Sequence, residues 1–141
     1  VIRGVIRAVI DTNVVVSGLL SPNGTAALVL LAIRHGLLRP CFSQEILAEY
    51  AGVLGRPKFG FPSEDITALM AMLRAAGDLI APQASVMVSP DPGDTKFVTC
   101  AVAGDAAFIV TGNSRHFPDG CYGAARVVTP AALLDRITME L

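Results

Sequence analysis

Asp11 is a charge set between two apolar runs, Ala8-Val9-Ile10 on one side and Val14-Val15-Val16 on the other. A carboxylate taken out of water is expensive, so a residue in that setting needs a cap role, a partner or a cation. Asp94 poses the same question more sharply. Phe97, Val98 and Ala101 make the apolar stripe of a helical segment, and Asp94 falls on that stripe one turn earlier. Asp94 could belong to a capping box, but that device needs a backbone donor rather than burial. Asp91 has a structural explanation, since Asp followed by Pro92 is a common helix opening. Glu49 is the third candidate. Ile46, Leu47, Tyr50 and Leu54 define the buried face of its helix, and Glu49 lies at the margin of that face. Glu45, farther round, reads as a solvated first-turn charge. After the apolar residues 107–110 come Thr111-Gly112-Asn113-Ser114, where Asn113 offers an amide oxygen to a ligand or closes an Asx-turn.

Three acids meeting in one hollow repel one another. Two carboxylates about 4 Å apart cost about 4 kcal/mol at an effective dielectric of ~20. Shared protons or a cation between them remove that cost. Oxygen donors without His or Cys favour Mg2+ or Mn2+ over zinc. Such an ion keeps some of its waters, and its usual work is phosphoryl chemistry. The three cysteines, Cys41, Cys100 and Cys121, have no CxxC spacing, and with His35 and His116 they form no zinc pattern. They read as packing residues of a reducing compartment, the cytoplasm.

The elements that must position these acids follow from periodicity. Residues 5–10 are β-branched and apolar apart from Arg7, and read as a strand. Ser21-Pro22-Asn23-Gly24 marks a loop before a helix over 25–35, stopped by Gly36. A short strand over 39–42 leads to Ser43, an N-cap for a helix through about 54. Residues 56–62 break the pattern, and a further helix runs from Ser63 to near Gly77. Residues 79–88 offer one or two weak strands. A helix opened by Asp91-Pro92-Gly93-Asp94 runs to about 103, followed by strands over 107–110 and 126–128 and a last helix from Pro130. Strands apolar on both faces, alternating with helices, imply an α/β sandwich with a parallel sheet. In such sheets ligands collect beyond the carboxyl ends of the strands, where the candidate acids fall.

Composition sets the outer limits. The 141 residues suit one domain over 1–141, and a chain of this size buries enough surface to need no disulfide or structural metal. With 52% hydrophobic and 16% charged residues it is no disordered tail. A net charge of −1 excludes a histone-like polycation while leaving room for a local basic patch. No run approaches the length of a membrane span, and Asp11 interrupts the N-terminal segment before any signal-like apolar core forms.

Together these residues resemble a PIN-domain ribonuclease of the kind that serves as the toxin of toxin–antitoxin pairs (VapC-like). The resemblance rests on Val9-Ile10-Asp11-Thr12-Asn13-Val14, Ser43-Gln44-Glu45-Ile46-Leu47-Ala48-Glu49-Tyr50, Arg56-Pro57-Lys58-Phe59, Asp91-Pro92-Gly93-Asp94-Thr95-Lys96-Phe97 and Val110-Thr111-Gly112-Asn113. It spans about residues 8–135, and the order and spacing of the motifs carry more weight than any one of them. It implies a Rossmann-like three-layer α/β/α sandwich with a mainly parallel central sheet, and a metal-dependent endoribonuclease. In that reading Asp11, Glu49 and Asp94 hold Mg2+ or Mn2+. Asn113 completes the catalytic set, where the family usually has Asp. That change removes one negative charge and weakens a second metal position. Arg56, Lys58, Lys96, Arg115 and His116 are the candidate phosphate contacts.

The resemblance also implies an RNA substrate, a small antitoxin partner and no membrane. The apolar helix over 25–33 and the Ile66-Leu69-Met70-Leu73 face would serve a homodimer or the antitoxin where they are not core. Two other readings compete. A catalytically degenerate PIN-like module binding RNA or protein fits the presence of Asn113. An aspartyl-phosphate phosphatase fits poorly, because Asn13 stands where its general acid belongs.

Overall fold

The computed structural model describes residues 5–82 and 94–140. Strand β1 (Ile6–Ile10) is followed by helices α1 (Thr12–Leu20) and α2 (Thr25–Arg34). Next come β2 (Leu38–Phe42), α3 (Gln44–Leu54), a 3-10 turn (Pro57–Phe59), α4 (Ser63–Ala76) and β3 (Asp78–Leu79). The rest comprises α5 (Thr95–Ala103), β4 (Phe108–Val110), a second 3-10 turn (Ser114–His116), β5 (Cys121–Tyr122), β6 (Ala125–Val128) and α6 (Pro130–Glu140).

The strands form one sheet in the order β3-β2-β1-β4-β6-β5. Every pairing is parallel except that of β5 with β6, which is antiparallel. Ala8, Val9 and Ile10 are fully buried in succession, as are Ile109 and Val110, so helices cover both faces of the sheet. The architecture is therefore a three-layer α/β/α sandwich. The chain steps outward from β1 through β2 to β3, then returns to the other side of β1 with β4. Adjacent strands β1 and β4 thus leave in opposite directions, and a crevice opens beyond their carboxyl ends.

Helix α1 is absent from the periodicity reading. Its sequence, TNVVVSGLL, holds three consecutive valines, and β-branched residues disfavour helix locally. Val14, Val15 and Val16 are all buried, and that burial outweighs the few tenths of a kcal/mol that propensity withholds. Gly18 lies where α1 meets α2: a Cβ there would come within 2.5 Å of Leu30 Cδ1. Helix α3 begins as its sequence indicates, with the Ser43 hydroxyl accepting the Ile46 N–H at 3.2 Å. Helix α4 begins at Ser63 itself, with Pro62 at the N-cap.

One further correction concerns a short element. The expected strand over 79–88 is the two-residue β3 as far as the described residues extend, and Asp91 lies outside them. Helix α5 runs Thr95–Ala103 with Asp94 as its N-cap, and the expected opening at Asp91-Pro92-Gly93 lies outside the described residues. Beside β3, Gly77 packs so tightly that a Cβ would stand 2.3 Å from the Pro40 carbonyl oxygen and 2.5 Å from Phe42 Cε2. Asp78 then receives Arg39 through two bonds of 2.9 and 2.8 Å and Arg7 Nε at 3.2 Å, tying three neighbouring strands together. Among the described residues no single helix is long and apolar enough to cross a membrane.

Candidate metal centre

Asp11 is the first residue past β1, at the crevice between β1 and β4, and its N–H bonds the Val110 carbonyl at 2.8 Å. It is only 5% exposed. It occupies the N-cap of α1 without making a side-chain cap bond, so capping does not account for its burial. Its Oδ2 accepts the hydroxyl of Thr111, a fully buried residue, at 2.8 Å. Burial pushes the Asp11 carboxyl above its ordinary range, although the Thr111 hydroxyl, His116 and the backbone N–H groups of Asn13 and Thr12 pull the other way.

Asp94 reaches the same place from the opposite side of the molecule's sequence. It is 8% exposed and likewise stands at an N-cap without a side-chain cap bond. A capping box with Asp91 lies outside the described residues, while the helical phase that put Asp94 on the inward stripe holds. Phe97, Val98 and Ala101, all buried, seat α5 so that its first end points at the crevice.

The third member of the cluster is His116. Its Nδ1 lies 3.9 Å from Asp11 Oδ2 and 3.7 Å from Asp94 Oδ2. One ligand atom from each of Asp11, Asp94 and His116 falls within 4.8 Å of the other two. The two carboxylate distances exceed hydrogen-bond range, so the groups face each other across a gap. Where the sequence pointed to oxygen donors alone, the structure places an imidazole nitrogen beside the two carboxylates. His116 was legible in one respect only: it follows Asn113 by three residues, and the 3-10 turn Ser114–His116 brings i and i+3 onto one side.

Glu49 takes a different position. Its side chain is 30% exposed, its Oε1 pairs with Lys96 Nζ at 2.8 Å, and its Oε2 accepts the Thr12 hydroxyl. It thus stands next to the cluster, linked through Thr12 to the residue after Asp11, and is not one of the three grouped ligands. The neighbouring Tyr50 hydroxyl donates to the Ile10 carbonyl, anchoring α3 to the last residue of β1. Full burial raises the Tyr50 phenol well above its usual range, so it stays a donor at any working pH.

Asn113 is exposed and forms the expected Asx-turn, its Oδ1 accepting the Arg115 N–H at 3.2 Å. Its Nδ2 also lies 3.1 Å from His116 Nε2. It therefore reaches the cluster through the imidazole. Gly112 donates its N–H to Asn13 Oδ1 at 3.1 Å, which ties the loop after β4 to the start of α1. Of the basic candidates, Arg56, Lys58 and Arg115 are exposed, while the Lys96 side chain is 13% exposed and committed to Glu49. Among the cysteines, Cys41 and Cys100 are buried packing residues, and Cys121 is exposed.

Two buried carboxylates and an imidazole at a topological switch point are a donor set that suits a divalent cation. The PIN-domain family model matches residues 7–115, more than half of the sequence and all of the cluster except His116. The chain belongs to the PIN-domain family. Among solved structures, this PIN domain is similar to one described as VapBC2 from Rickettsia felis bound to a DNA fragment from their promoter. The two share 16% identity, the match covers 88% of this chain and 98% of the other, and the TM-score is 0.58. At that identity the likeness speaks for the fold. No curated protein matches the chain.

Proposed function

We propose that this PIN domain, a single domain over residues 1–141, is a divalent-metal-dependent endoribonuclease of the cytoplasm and the toxin of a toxin–antitoxin pair. The observation that carries the reading is the convergence of Asp11 and Asp94, 83 positions apart by their numbers, in one gap at the carboxyl ends of β1 and β4. Two carboxylates at that separation repel unless a cation lies between them. Around an Mg2+ or Mn2+ ion, neighbouring ligand atoms stand about 3 Å apart and opposite ones about 4.2 Å. The 3.7 and 3.9 Å from His116 Nδ1 to the two carboxylates fall between those values, and the 4.8 Å that bounds all three ligand atoms needs an adjustment of only tenths of an ångström.

A bound divalent ion supplies Lewis acidity to a phosphoryl oxygen and makes hydroxide available near neutral pH. The protein's own residues do the rest. Asp11 and Asp94 hold the ion, with the Thr111 hydroxyl fixing the rotamer of Asp11. Glu49, oriented by Lys96 and Thr12, stands beside them to orient the attacking water and accept its proton. Lys96 keeps positive charge at the rim, where an RNA phosphate arrives. Asn113 orients His116.

The antitoxin has a surface to occupy. Leu28, Leu31 and Leu37 are exposed and line, with Ala32, Leu134 and Ile137, an apolar cavity of about 310 Å³ between α2 and α6. The same surface could join two copies of the chain as a homodimer.

Cleavage of single-stranded and structured RNAs, assayed with Mg2+, with Mn2+ and with EDTA, tests the activity. We expect hydrolysis with either ion and none with EDTA or in Asp94→Asn. RNA binding without metal-dependent cleavage would instead favour a catalytically degenerate binding module. Sizing chromatography with and without the co-expressed neighbouring gene product tests the partner.

A further inference from the structure

We infer that His116, through Nδ1, joins Asp11 and Asp94 in a mixed nitrogen–oxygen centre, and that this nitrogen makes the centre prefer a first-row transition ion such as Mn2+ to Mg2+. The inference rests on the metal-dependent reading above and goes beyond it by assigning a third donor and the class of ion. Three observations carry it. Nδ1, rather than Nε2, is the nitrogen turned toward both carboxylates. Its distances to them, 3.9 and 3.7 Å, are too long for hydrogen bonds and suit two ligand atoms on either side of a cation. The other ring nitrogen is engaged by Asn113, which fixes the ring plane.

That last contact has the form of an outer support for a metal-bound histidine, in which a polar side chain holds the distal nitrogen. Coordination through Nδ1 leaves the proton on Nε2, which must then find an acceptor. The Asn113 amide presents its Oδ1 to Nε2 by a half-turn of its plane, at the expense of the bond from Arg115 N–H. An amide at position 113 can therefore face either tautomer of the ring, whereas an Asp carboxylate could only accept. The two carboxylates balance the charge of any divalent ion equally, and neutral imidazole adds no charge. Its benefit falls to ions with affinity for nitrogen, and Mg2+ has little.

Calorimetric titration of the metal-free chain with Mn2+ and, separately, with Mg2+ measures the preference, and pulsed EPR of the Mn2+ form detects directly bound nitrogen. We expect Mn2+ to bind at least ~10-fold more tightly than Mg2+. His116→Ala should weaken Mn2+ by about 10- to 100-fold, change Mg2+ by less than about 3-fold and abolish the nitrogen coupling. Asn113→Ala should retain the coupling with weaker Mn2+ binding. If His116 only holds its loop together, both ions weaken alike in His116→Ala and no nitrogen coupling is seen in the parent chain, which overturns the inference. Saturable binding that disappears in Asp11→Asn, without nitrogen coupling, overturns the role of His116 and leaves the nuclease reading intact. No saturable binding of either ion overturns both. Because the His116 side chain is 38% exposed, the alanine variant should fold, and its circular dichroism melt confirms that.

Discussion

Removing the Asp11 charge should make the metal-free protein more stable and insensitive to metal. At neutral pH the carboxylates of Asp11 and Asp94 offer ligand atoms no more than 4.8 Å apart. At an effective dielectric of ~20 their repulsion is about 3.5 kcal/mol. Asp11→Asn removes that repulsion. It also replaces a charge-assisted bond from Thr111 with a neutral one, worth about 1 kcal/mol less, and forgoes the attraction of His116 when that ring is protonated. The net gain expected is about 1–2 kcal/mol, or a rise in Tm of roughly 3–7 °C for a chain of this size. The pH dependence follows from burial having raised the Asp11 carboxyl above its ordinary value of 3.8. The folded protein holds that proton more tightly than the unfolded chain, so the contribution of Asp11 to stability is full below pH 3.8 and declines as pH rises through the folded-state value. The advantage of Asp11→Asn should therefore be absent in acid and full at neutrality. Thermal unfolding from pH 3 to 8 in EDTA reads this directly. Repeating it with Mn2+ at about 100 times Kd should add about 2.7 kcal/mol to the parent and nothing to the variant. A variant less stable than its parent at neutral pH, or one still stabilised by Mn2+, would refute the electrostatic account.

Lys96→Met should lower RNA cleavage by about 10- to 100-fold while changing stability by less than ~1 kcal/mol, because the Glu49 carboxylate it orients is partly solvated. Cleavage rates beside urea melts check both halves of that expectation. Gly77→Ala should cost about 1–3 kcal/mol, since the added methyl meets the Pro40 carbonyl at 2.3 Å and backbone cannot yield as a side-chain tip can. A change in urea midpoint below a few tenths of a kcal/mol would contradict the packing seen there. Asp78 is held below its ordinary value of 3.8 first by the bonds from Arg39, so its contribution is full above pH 3.8 and lost as pH falls through the lower folded-state value. The Tm difference between parent and Asp78→Asn should shrink to nothing over that acid interval.

The alternation of strands and helices was legible because buried parallel strands leave continuous apolar runs, and β1 and β4 are such runs. Helix α1 was not legible, since three consecutive buried valines followed by a buried Gly18 blur any apolar stripe. The antiparallel strand β5 is two residues long, below what any pattern can resolve. At the site, Asp11 and Asp94 announced themselves as charges in apolar company, a local property of sequence. Their grouping with His116 depends on a turn after β4 that folds the imidazole back over the crevice, and no periodicity encodes that. The position of Glu49 at the rim, shared with Lys96, follows the helical phase that put it at the margin of a buried face. The pairing with Lys96, across 47 positions by their numbers, is tertiary and left no mark in the sequence.

The hydroxyl of Tyr50 reaching the end of β1 has a consequence for how the centre exchanges ions. Glu49 and Asp11 each adjoin one partner of that buried link, and Thr12 joins them a second time. Their spacing is inherited from the scaffold and is in place before any ion arrives. In the proposed nuclease one cation would then give way to another without the helix that carries Glu49 shifting along the strand, so a change of metal should alter reaction rate while leaving the outline of the surface around the crevice as it was.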